Sequence, residues 1–505
     1  MLVALVAAAI GACSRTPAAT QPENVLRAAL AAHGGQAAIE RIGTLDLRFT
    51  GLREMSYQSR RADPPWDQEP SSVRLVFSQA RNHWLWETIN SYPGLGPFGV
   101  RQVFDSLGGF FIDPDGNSHG PEVMRVTAAE ALTSRHSLAR FIPGLLIEQA
   151  IDSVAAARVL GSDRVGGERH IQVLYRDPFG REITLRFDAK SYELTAYTFT
   201  RRDEVRGVAA ESVHFAKYSD YAGLRLPLER REYINGELER ALSATVRFGF
   251  TDQDSLFQIP DGYVEPTPAG IAAHQMDHDA AATLRPIGRG IHIDVATGTM
   301  VVEFADHTVA FDCPNDARTS QRTIAAVAGA FPTKPIRYLV ASHTHPDHCG
   351  GARAYFAAGI PIIVARDHVG FYERLARTSH ASEPDGYNAA TKPPKIESID
   401  AGASRVLRDA TMSVELFNIG PSPHSAEMLV GHLPQEGLLW QVDLFLGRMT
   451  GGVGNARPVS DWLAREIERR RWAVRRIVDT HLGMVFSREA VDSSLRMAGF
   501  RPIAP

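Results

Sequence analysis

The C-terminal half of the chain is organised around the stretch Ala341-Ser342-His343-Thr344-His345-Pro346-Asp347-His348-Cys349-Gly350-Gly351. The short, apolar, β-prone segment Ile336–Val340 precedes it and is predicted to be a buried strand. The segment Ala352–Ala358 follows it and is predicted to be a helix that ends at Gly359. The stretch therefore lies on a strand-to-helix loop at the carboxyl end of a strand, where open α/β sheets place their ligands.

The histidines and the aspartate of this stretch have the spacing HxHxDH. Such closely spaced groups cannot all reach one ion from a regular helix or strand, but a loop can direct His343 and His345 one way and Asp347 and His348 another. Neutral imidazoles with a single carboxylate suit zinc better than magnesium or calcium, which prefer oxygen ligands. A polar loop of unrelated histidines is the alternative, and the specificity of the pattern argues against it.

Length and composition exclude several classes of protein. A chain of 505 residues is long enough for two or three domains. Its formal net charge of −4 and its lack of a long basic run argue against a nucleic-acid partner. The only cysteines are Cys13, Cys313 and Cys349, so the chain is no disulfide scaffold. We interpret Cys313 and Cys349 as buried structural thiols.

The N-terminus has the features of a sorting signal. Residues 2–10 form an apolar run that is too short to span a bilayer but fits the hydrophobic region of a signal peptide. Ile10-Gly11-Ala12-Cys13 resembles a bacterial lipobox, which implies a lipoprotein with lipid on Cys13; an ordinary cleaved signal is the alternative. Residues 14–24 are interpreted as a tether. We expect a periplasmic or cell-envelope protein whose membrane contact is limited to this anchor.

Residues 25–259 are predicted to form a mainly antiparallel β domain with helices. Helical spacing over residues 25–40 is interrupted at His33-Gly34-Gly35, and a second helical stretch covers 128–156. Between and after these helices, apolar and polar residues alternate in segments that are separated by turns, and Asn235-Gly236 is a strong hairpin signal. The alternating segments include residues 45–49, 73–77, 84–86, 183–187 and 244–248.

Four short pieces of this region resemble the lipoprotein-carrier type of periplasmic domain. They are Ala32-His33-Gly34-Gly35, Ile39-Glu40-Arg41-Ile42, Phe187-Asp188, and Asp220-Tyr221 with Gly223-Leu224-Arg225-Leu226-Pro227. The resemblance implies a curved antiparallel sheet over helices with an apolar hollow. Whether this domain only spaces its neighbour or binds an apolar ligand is left open by the sequence.

Residues 260–285 are predicted to be a linker, in which His274 and His278 are interpreted as an exposed pair. From Gly290 onward strands and helices alternate, which is typical of a layered α/β domain, here assigned to 286–505. The predicted fold class of the chain is therefore α+β.

Three further candidates each stand where a predicted strand stops. His424 lies in a turn between two strands, Asp443 follows an apolar strand, and His481 ends another. His343 occupies the same kind of position. Four strand ends that each deliver a ligand-type residue favour one shared site over unrelated surface residues.

The order HxHxDH, His, Asp, His resembles the metallo-β-lactamase superfamily over about residues 285–500. The resemblance implies an αββα sandwich with a dinuclear zinc site, that is, two Zn²⁺ per chain. It implies His343, His345 and His424 as ligands of the first zinc, and Asp347, His348 and His481 as ligands of the second, with Asp443 bridging both and Asp312 orienting the site without ligating.

In this family-based interpretation, two ions lower the pKa of a shared water so that hydroxide exists near neutral pH and attacks a carbonyl or phosphoryl group. Asp347 is the candidate catalytic residue that orients the nucleophile and passes its proton to the leaving group. Two departures from the family pattern leave the substrate open. Val442 stands where the family usually has Gly before the bridging Asp, and the turn Pro423-His424-Ser425-Ala426-Glu427 stands where the family usually has Gly-His-Thr-Pro-Gly. The insert at 369–394 is interpreted as a loop that either covers the substrate or is merely variable.

The function predicted from the sequence is an exported zinc-dependent hydrolase that acts on an ester, lactone, thioester or related bond of a small molecule. One alternative is a β-lactamase. Another is a periplasmic binding or trafficking protein for an apolar ligand, with an ancillary metal domain. A redox enzyme with iron at the same ligands is the third.

Overall fold

A computed structural model describes residues 21–56, 58–79, 81–114, 120–249, 254–265, 281–380, 385–448 and 451–504. The predicted signal peptide with Cys13 and the pair His274 and His278 lie outside these residues. Among the described helices, none combines the length and the apolar character needed to cross a membrane. Chain contacts divide the protein into two units. The first comprises Met1–Arg41, Ala139–Phe199 and Val213–Pro227, and the second comprises Ile42–Leu138, Thr200–Ser212 and Leu228–Pro505.

Strands outnumber helices in the described residues, and the predicted α+β class is confirmed. The helices are α1 (Pro22–Ala32), α2 (Gly35–Glu40), α3 (Ala128–Leu138), α4 (Pro143–Asp152), α5 (Ala317–Ala330), α6 (Pro346–Cys349), α7 (Ala352–Ala358), α8 (Val369–Arg377), α9 (Pro458–Arg470) and α10 (Arg488–Met497). The strands up to the middle of the chain are β1 (Thr44–Glu54), β2 (Gln68–Ser78), β3 (His83–Tyr92), β4 (Gly96–Phe104), β5 (Gly109–Ile112), β6 (Val123–Val126), β7 (Arg158–Val165), β8 (Glu168–Arg176), β9 (Glu182–Asp188), β10 (Leu194–Asp203), β11 (Gly207–Tyr221), β12 (Leu224–Ile234) and β13 (Glu237–Phe248). The later strands are β14 (Leu284–Gly288), β15 (Ile291–Asp294), β16 (Met300–Glu303), β17 (Thr308–Phe311), β18 (Ile336–Val340), β19 (Ile362–Ala365), β20 (Ile396–Ile399), β21 (Ser404–Arg408), β22 (Ser413–Asn418), β23 (Leu429–Leu433), β24 (Leu438–Gln441), β25 (Arg476–Asp479) and β26 (Met484–Ser487).

The predicted break after the first helix is present, because α1 ends at Ala32. Gly34 has φ +104°, and a Cβ there would lie 2.0 Å from the carbonyl oxygen of Gly223, so no other residue fits without a shift. The buried ring of His33 donates from Nδ1 to the carbonyl of Ala29 (2.8 Å) and accepts from the amide of Leu194 (3.4 Å). Burial lowers the pKa of His33, and the ring is therefore held neutral. The tripeptide His33-Gly34-Gly35 therefore fixes the turn between α1 and α2.

The first unit packs α1 and α4 against the strands β8 and β9. Val25 and Leu26 of α1 and Leu146 and Ile147 of α4 are buried among inward-facing strand residues such as Phe187. The helical stretch predicted at 128–156 is divided in the structure, since α4 begins at a proline, a residue that suits the first turn of a helix but not its interior.

Asp177 is the centre of a buried ionic cluster in the turn between β8 and β9. Its carboxylate accepts from the guanidinium groups of Arg140 and Arg181, each at 2.9 Å, and from the amides of Phe179 and Arg181. Burial opposes the charge, but the bonds and charge of Arg181 and the charge of Arg140 hold the pKa of Asp177 below its usual range. The ionised carboxylate therefore stabilises this turn.

Replacing Asp177 by alanine is expected to lower the free energy of unfolding by about 3–5 kcal/mol, because Arg140 would stay buried without its partner. The loss is measured by urea unfolding at pH 7. Because the folded pKa of Asp177 is depressed, its contribution is present above the unfolded pKa and is lost as the pH falls through the folded pKa, so the difference narrows in acid. Asp188→Ala is the matched control: it breaks turn hydrogen bonds to Lys190 and Ser191 but no buried ion pair. Equal losses in the two variants would contradict the prediction.

In the second unit, strands β1 to β6 pair with one another in chain order, β13 pairs with β1, and β12 pairs with β13, all antiparallel. The predicted hairpin at Asn235-Gly236 is confirmed, with φ +52° and +84° at the two turn residues. The segment 254–265 packs back onto this sheet: Phe257 and Tyr263 cover the core beside Val76 and Leu85.

The C-terminal part is the predicted αββα sandwich. Strands β14 to β20 form a seven-stranded sheet and β21 to β26 a six-stranded sheet. Alternation along β18 separates two cores: Val340 faces the core shared with the second sheet and its helices α9 and α10, whereas Leu339 faces the core beneath α7 and α8. The pairs β17–β18 and β24–β25 are parallel, so each brings two carboxyl ends together.

The insert 369–394 does not begin as a loop, which corrects that interpretation. Residues Val369–Arg377 form α8, whose strongly amphipathic sequence buries Tyr372 and Leu375. The Tyr372 hydroxyl donates to the carbonyl oxygen of His343 (3.0 Å), so this helix supports the motif from below.

Candidate metal centre

Each predicted site residue lies just beyond the end of a strand or on the short helix α6. His343 and His345 follow β18, and the first turn of α6 carries Asp347 and His348. His424 lies in the turn between β22 and β23. Asp443 follows β24, and His481 follows β25.

The structure brings all seven residues into two groups that share one carboxylate. The first group is His343, His345, His424 and Asp443, and the second is Asp347, His348, Asp443 and His481. Within each group the candidate ligand atoms lie within 4.8 Å of one another. Oδ2 of Asp443 lies 3.2 Å from Nε2 of His343, 3.2 Å from Nε2 of His424 and 3.0 Å from Nε2 of His348. Its Oδ1 contacts Nε2 of His481.

The inner atoms of the first group suit a cation better than they suit one another. Among the described residues, Nε2 of His343, Nδ1 of His345, Nε2 of His424 and Oδ2 of Asp443 are buried without a well-aligned hydrogen bond. Buried polar atoms left in this way cost free energy. Three imidazole nitrogens and a carboxylate oxygen that converge on one point form a donor set that zinc binds in proteins. The residues present therefore fit a metal ion.

Asp312 contacts the second group from outside. Its Oδ2 accepts from Nδ1 of His348 (2.8 Å), and its Oδ1 accepts from the amide of Ser342 (2.8 Å). The first bond leaves Nε2 of His348 facing the centre. Asp312 and Asp443 both have positive φ, +63° and +59°, a conformation that is uncommon outside glycine and asparagine or aspartate.

Asp479 ends β25 and bonds the backbone of His481, not its ring; sequence reasoning did not single it out. Its carboxylate is buried and accepts from the amide of His481 (2.9 Å) and from the amide of Gly447 (2.8 Å). Burial raises the pKa of Asp479. Its position two residues before a ligand-type histidine is the only sequence signal that could have identified it.

The two groups differ in charge. Burial and the neighbouring imidazole of His424 lower the pKa of His345 to about 4, and burial and the neighbouring imidazole of His345 lower the pKa of His343 well below its usual value. In the second group burial acts in the same direction, but the carboxylate of Asp443 outweighs it; it raises the pKa of His481 to about 9 and that of His348 well above its usual value. Near neutral pH these shifts leave the rings of His343 and His345 neutral and favour the imidazolium forms of His348 and His481 in the metal-free protein.

Both thiols near the motif are buried and free. Sγ of Cys349 contacts the carbonyl oxygen of Thr344 (3.3 Å), and Sγ of Cys313 contacts that of His348 (3.5 Å). Burial raises the pKa of each thiol well above its usual value, so neither provides a thiolate nucleophile or ligand near neutral pH. Their contacts hold the motif backbone.

Three contacts to the centre come from the sheet that precedes the sandwich. The carbonyl oxygen of Ser59 lies 3.0 Å from Nε2 of His345, and that of Pro93 lies 3.1 Å from Nδ1 of His424. Nε2 of Gln58 donates to Oδ1 of Asp347 (3.1 Å). Sequence reasoning found none of the three, because a backbone carbonyl leaves no residue signature and the partners are nearly three hundred residues apart or more.

Two packed sheets with helices outside, and two His/Asp groups at the strand ends, define the class of the C-terminal part: it has the metallo-β-lactamase fold, with residues that can bind metal. The family described as the metallo-β-lactamase superfamily matches residues 300–439. The resemblance predicted from the motif is thereby confirmed for this region. No curated protein matches the sequence.

Solved structures similar to this chain include metallo-β-lactamases and a lipoprotein-sorting domain. The metallo-β-lactamase FIM-1 from Pseudomonas aeruginosa, in its mono-zinc form, is 21% identical, with 44% of this chain and 97% of that chain covered and a TM-score of 0.33. A metallo-β-lactamase from Pontibacter korlensis is 16% identical, with 43% and 99% covered and a TM-score of 0.33. A putative outer membrane lipoprotein-sorting protein domain from Vibrio parahaemolyticus is 13% identical, with 47% and 97% covered and a TM-score of 0.30.

Proposed function

We propose that the protein is a dinuclear zinc-dependent hydrolase. The observation that carries this proposal is the pair of His/Asp groups that share Asp443. A single carboxylate common to two sets of imidazoles can hold two cations close together, which is the arrangement used by two-metal hydrolases. No serine or cysteine nucleophile is needed for such a reaction.

The donor set favours zinc as the metal. Imidazole nitrogen suits zinc, copper, iron and nickel, and the small number of carboxylates disfavours magnesium and calcium, which prefer oxygen ligands. When bound, a zinc pair polarises the bond to be cleaved and makes hydroxide available near neutral pH. Two neutral rings in the first group, at His343 and His345, are ready to bind without losing protons.

The protein's own groups then orient the reaction. The side chain of Asp347 is 37% exposed and that of His481 33% exposed, whereas His343 and His424 are buried, so substrate enters beside Asp347 and His481. Oδ1 of Asp347 is occupied by Gln58, and its Oδ2 lies 3.6 Å from His348 and 3.9 Å from His481. We assign to Asp347 the orientation of the nucleophile and the transfer of its proton to the leaving group.

An ester, lactone or thioester of a small molecule is the proposed substrate. The test is metal analysis of the purified chain that begins after Cys13, followed by a panel of esters, lactones, thioesters and β-lactams. About two zinc ions per chain, with hydrolysis in the panel, is the expected result. Iron at these ligands, or a folded chain without metal, would contradict the proposal, and turnover of β-lactams alone would move the substrate to that class.

The second ion is expected to bind more tightly as the pH rises, while binding of the first changes little. His348 and His481 must lose protons before they can bind metal, and the pKa of His481 in the metal-free protein is raised to about 9. His345, with a pKa lowered to about 4, is already neutral. Calorimetric titration between pH 6 and 9 in buffers of different ionisation enthalpy measures the protons released. Equal proton release in both binding steps would contradict the prediction.

We further propose that the chain is exported and anchored by lipid on Cys13. The support is the apolar run at 2–10 and the sequence Ile10-Gly11-Ala12-Cys13. Membrane fractionation and the intact mass of the N-terminal peptide, compared between the wild type and Cys13→Ser, test it. A soluble wild-type protein with an unmodified cysteine would contradict the lipid anchor.

A further inference from the structure

Two segments of the β1–β6 sheet reach the metal centre. We call residues 58–67 the rim loop; they belong to the connection between β1 and β2. Residues 92–96 form the tight connection between β3 and β4, which we call the β3–β4 turn. Both segments belong to the second unit, as the sandwich does. They supply a side-chain donor from Gln58 and carbonyl acceptors from Ser59 and Pro93.

The two carbonyls decide which ring nitrogen faces the centre. A carbonyl oxygen can only accept, so Nε2 of His345 and Nδ1 of His424 carry the hydrogens in these contacts. The opposite nitrogens, Nδ1 of His345 and Nε2 of His424, are the unpartnered atoms that point into the first group. The sheet thus fixes the tautomer and the ring orientation of two of the three histidines in the first group.

The rim loop is held rigidly enough to do this. Oγ of Ser59 donates to the carboxylate of Asp67 (3.1 Å), which also accepts from the amide and the guanidinium group of Arg60. Two contacts come from the sandwich. Ala426, two residues after His424, donates its amide to the carbonyl oxygen of Arg60 (2.7 Å), and Arg374 of α8 pairs with Asp63. The loop is therefore closed by its own hydrogen bonds and is also bonded to two segments of the sandwich, the turn that carries His424 and helix α8.

The β3–β4 turn is inserted into the sandwich itself. Leu95 is buried in the core between the two sheets, and Arg457 at the start of α9 donates to its carbonyl oxygen. Gly94 has φ +73°, and a Cβ there would lie 2.9 Å from the carbonyl carbon and from Cβ of Pro423. This close approach places the neighbouring carbonyl of Pro93 against His424.

We propose that the rim loop and the β3–β4 turn are positioning parts of the metal centre. Gln58 positions Asp347 for the second ion, and the Ser59 and Pro93 carbonyls position His345 and His424 for the first. This inference rests on the proposed function. It assigns to the preceding sheet a direct part in metal binding, beyond spacing the sandwich or holding an apolar ligand.

Gln58→Leu in the full chain tests the side-chain contact. The variant keeps the size of the side chain but removes the donor to Asp347, and we expect the affinity for the second ion to fall about tenfold while the first stays unchanged. Titration of the metal-free protein with Co²⁺, followed by its visible absorption bands, measures the two steps separately. Gln68→Leu is the matched control, since Gln68 donates to Glu54 (2.6 Å) at an exposed position of the same sheet.

Gly94→Ala tests the turn. The added Cβ would push Pro93 and Pro423 apart, so the first ion, held by His424, is expected to bind about tenfold more weakly. Gly96→Ala is the matched control because Gly96 has nearly the same φ, +75°, but open space around the added Cβ. Both variants carry the same backbone strain, and only the first disturbs the contact with the His424 turn.

Unfolding curves of the metal-free variants separate a folding defect from a defect of the centre. The inference is supported if Gln58→Leu weakens the second ion, Gly94→Ala weakens the first, and neither control changes either. It is overturned if the variants bind Co²⁺ as their controls do, even though the wild type binds two ions and hydrolyses substrate. If the wild type binds two ions but hydrolyses no substrate, the proposed function is contradicted, and metal binding by the variants and their controls can still be compared. If the wild type binds no metal, the proposed function and this inference are both overturned.

Discussion

Replacing Asp443 by alanine is expected to lose both metal ions and to lower the rate of hydrolysis by more than about 100-fold. Loss of a residue that only supports a metal ligand costs up to about 100-fold, and Asp443 is itself a candidate ligand. Asp443 belongs to both groups, and its two oxygens contact Nε2 of His343, His348, His424 and His481. No other described residue is shared by the two groups. Losing any single histidine would affect one group, whereas losing Asp443 affects both.

Charge gives this variant a second effect. Burial alone would raise the pKa of Asp443, but the charges of His348, His481 and His424 hold it well below its usual range. Without the carboxylate, His348 and His481 lose the charge that raises their pKa values. The metal-free Asp443→Ala protein is therefore expected to bind fewer protons at pH 7 than the metal-free wild type.

Metal analysis, hydrolysis rates and an NMR titration of the histidines measure these effects. Asp409→Ala is a suitable control, since Asp409 accepts turn amides from Thr411 and Met412 in the same sandwich but belongs to neither group. The control is expected to keep two ions per chain. If Asp443→Ala kept a full complement of metal, a dinuclear centre bridged by this carboxylate would be excluded.

Removal of the metal by a chelator is expected to lower the melting temperature by several degrees. One ion present at a thousand times its dissociation constant stabilises the folded state by about 4 kcal/mol, and each kcal/mol corresponds to roughly 2 °C for a domain of this size. The four buried atoms without aligned partners in the first group are the structural reason.

The difference in melting temperature between the metal-loaded and the metal-free protein is expected to widen from about pH 6.5 to about pH 9. In the metal-free protein the pKa of His481 is raised to about 9, so the stability that its proton contributes is present below the unfolded pKa of about 6.5 and is lost as the pH rises through 9. Metal binding improves over the same range. Differential scanning calorimetry at several pH values, with and without chelator, checks this. The Asp443→Ala variant should show no response to chelator, and a constant gap in the wild type would contradict the prediction.

Local patterns in the sequence predict many elements of the fold. The alternation in β1, β2 and β9, the Asn235-Gly236 turn and the strand–loop–helix around HxHxDH are each fixed by neighbours along the chain, and each is present in the structure. The insert at 369–394 was misjudged because its length suggested a loop, whereas the amphipathic spacing of 369–377 buries Tyr372 and Leu375.

The sequence by itself determined the candidate residues of the centre, because histidines and aspartates at strand ends have a recognisable spacing and order. Only the tertiary structure showed that Asp479 accepts from the backbone amide of His481, and that Gln58, Ser59 and Pro93 approach from the preceding sheet. The physical reason is that such contacts join distant parts of the chain, partly through backbone carbonyls that every residue possesses. A carbonyl becomes a specific partner only when packing places it against one particular ring nitrogen.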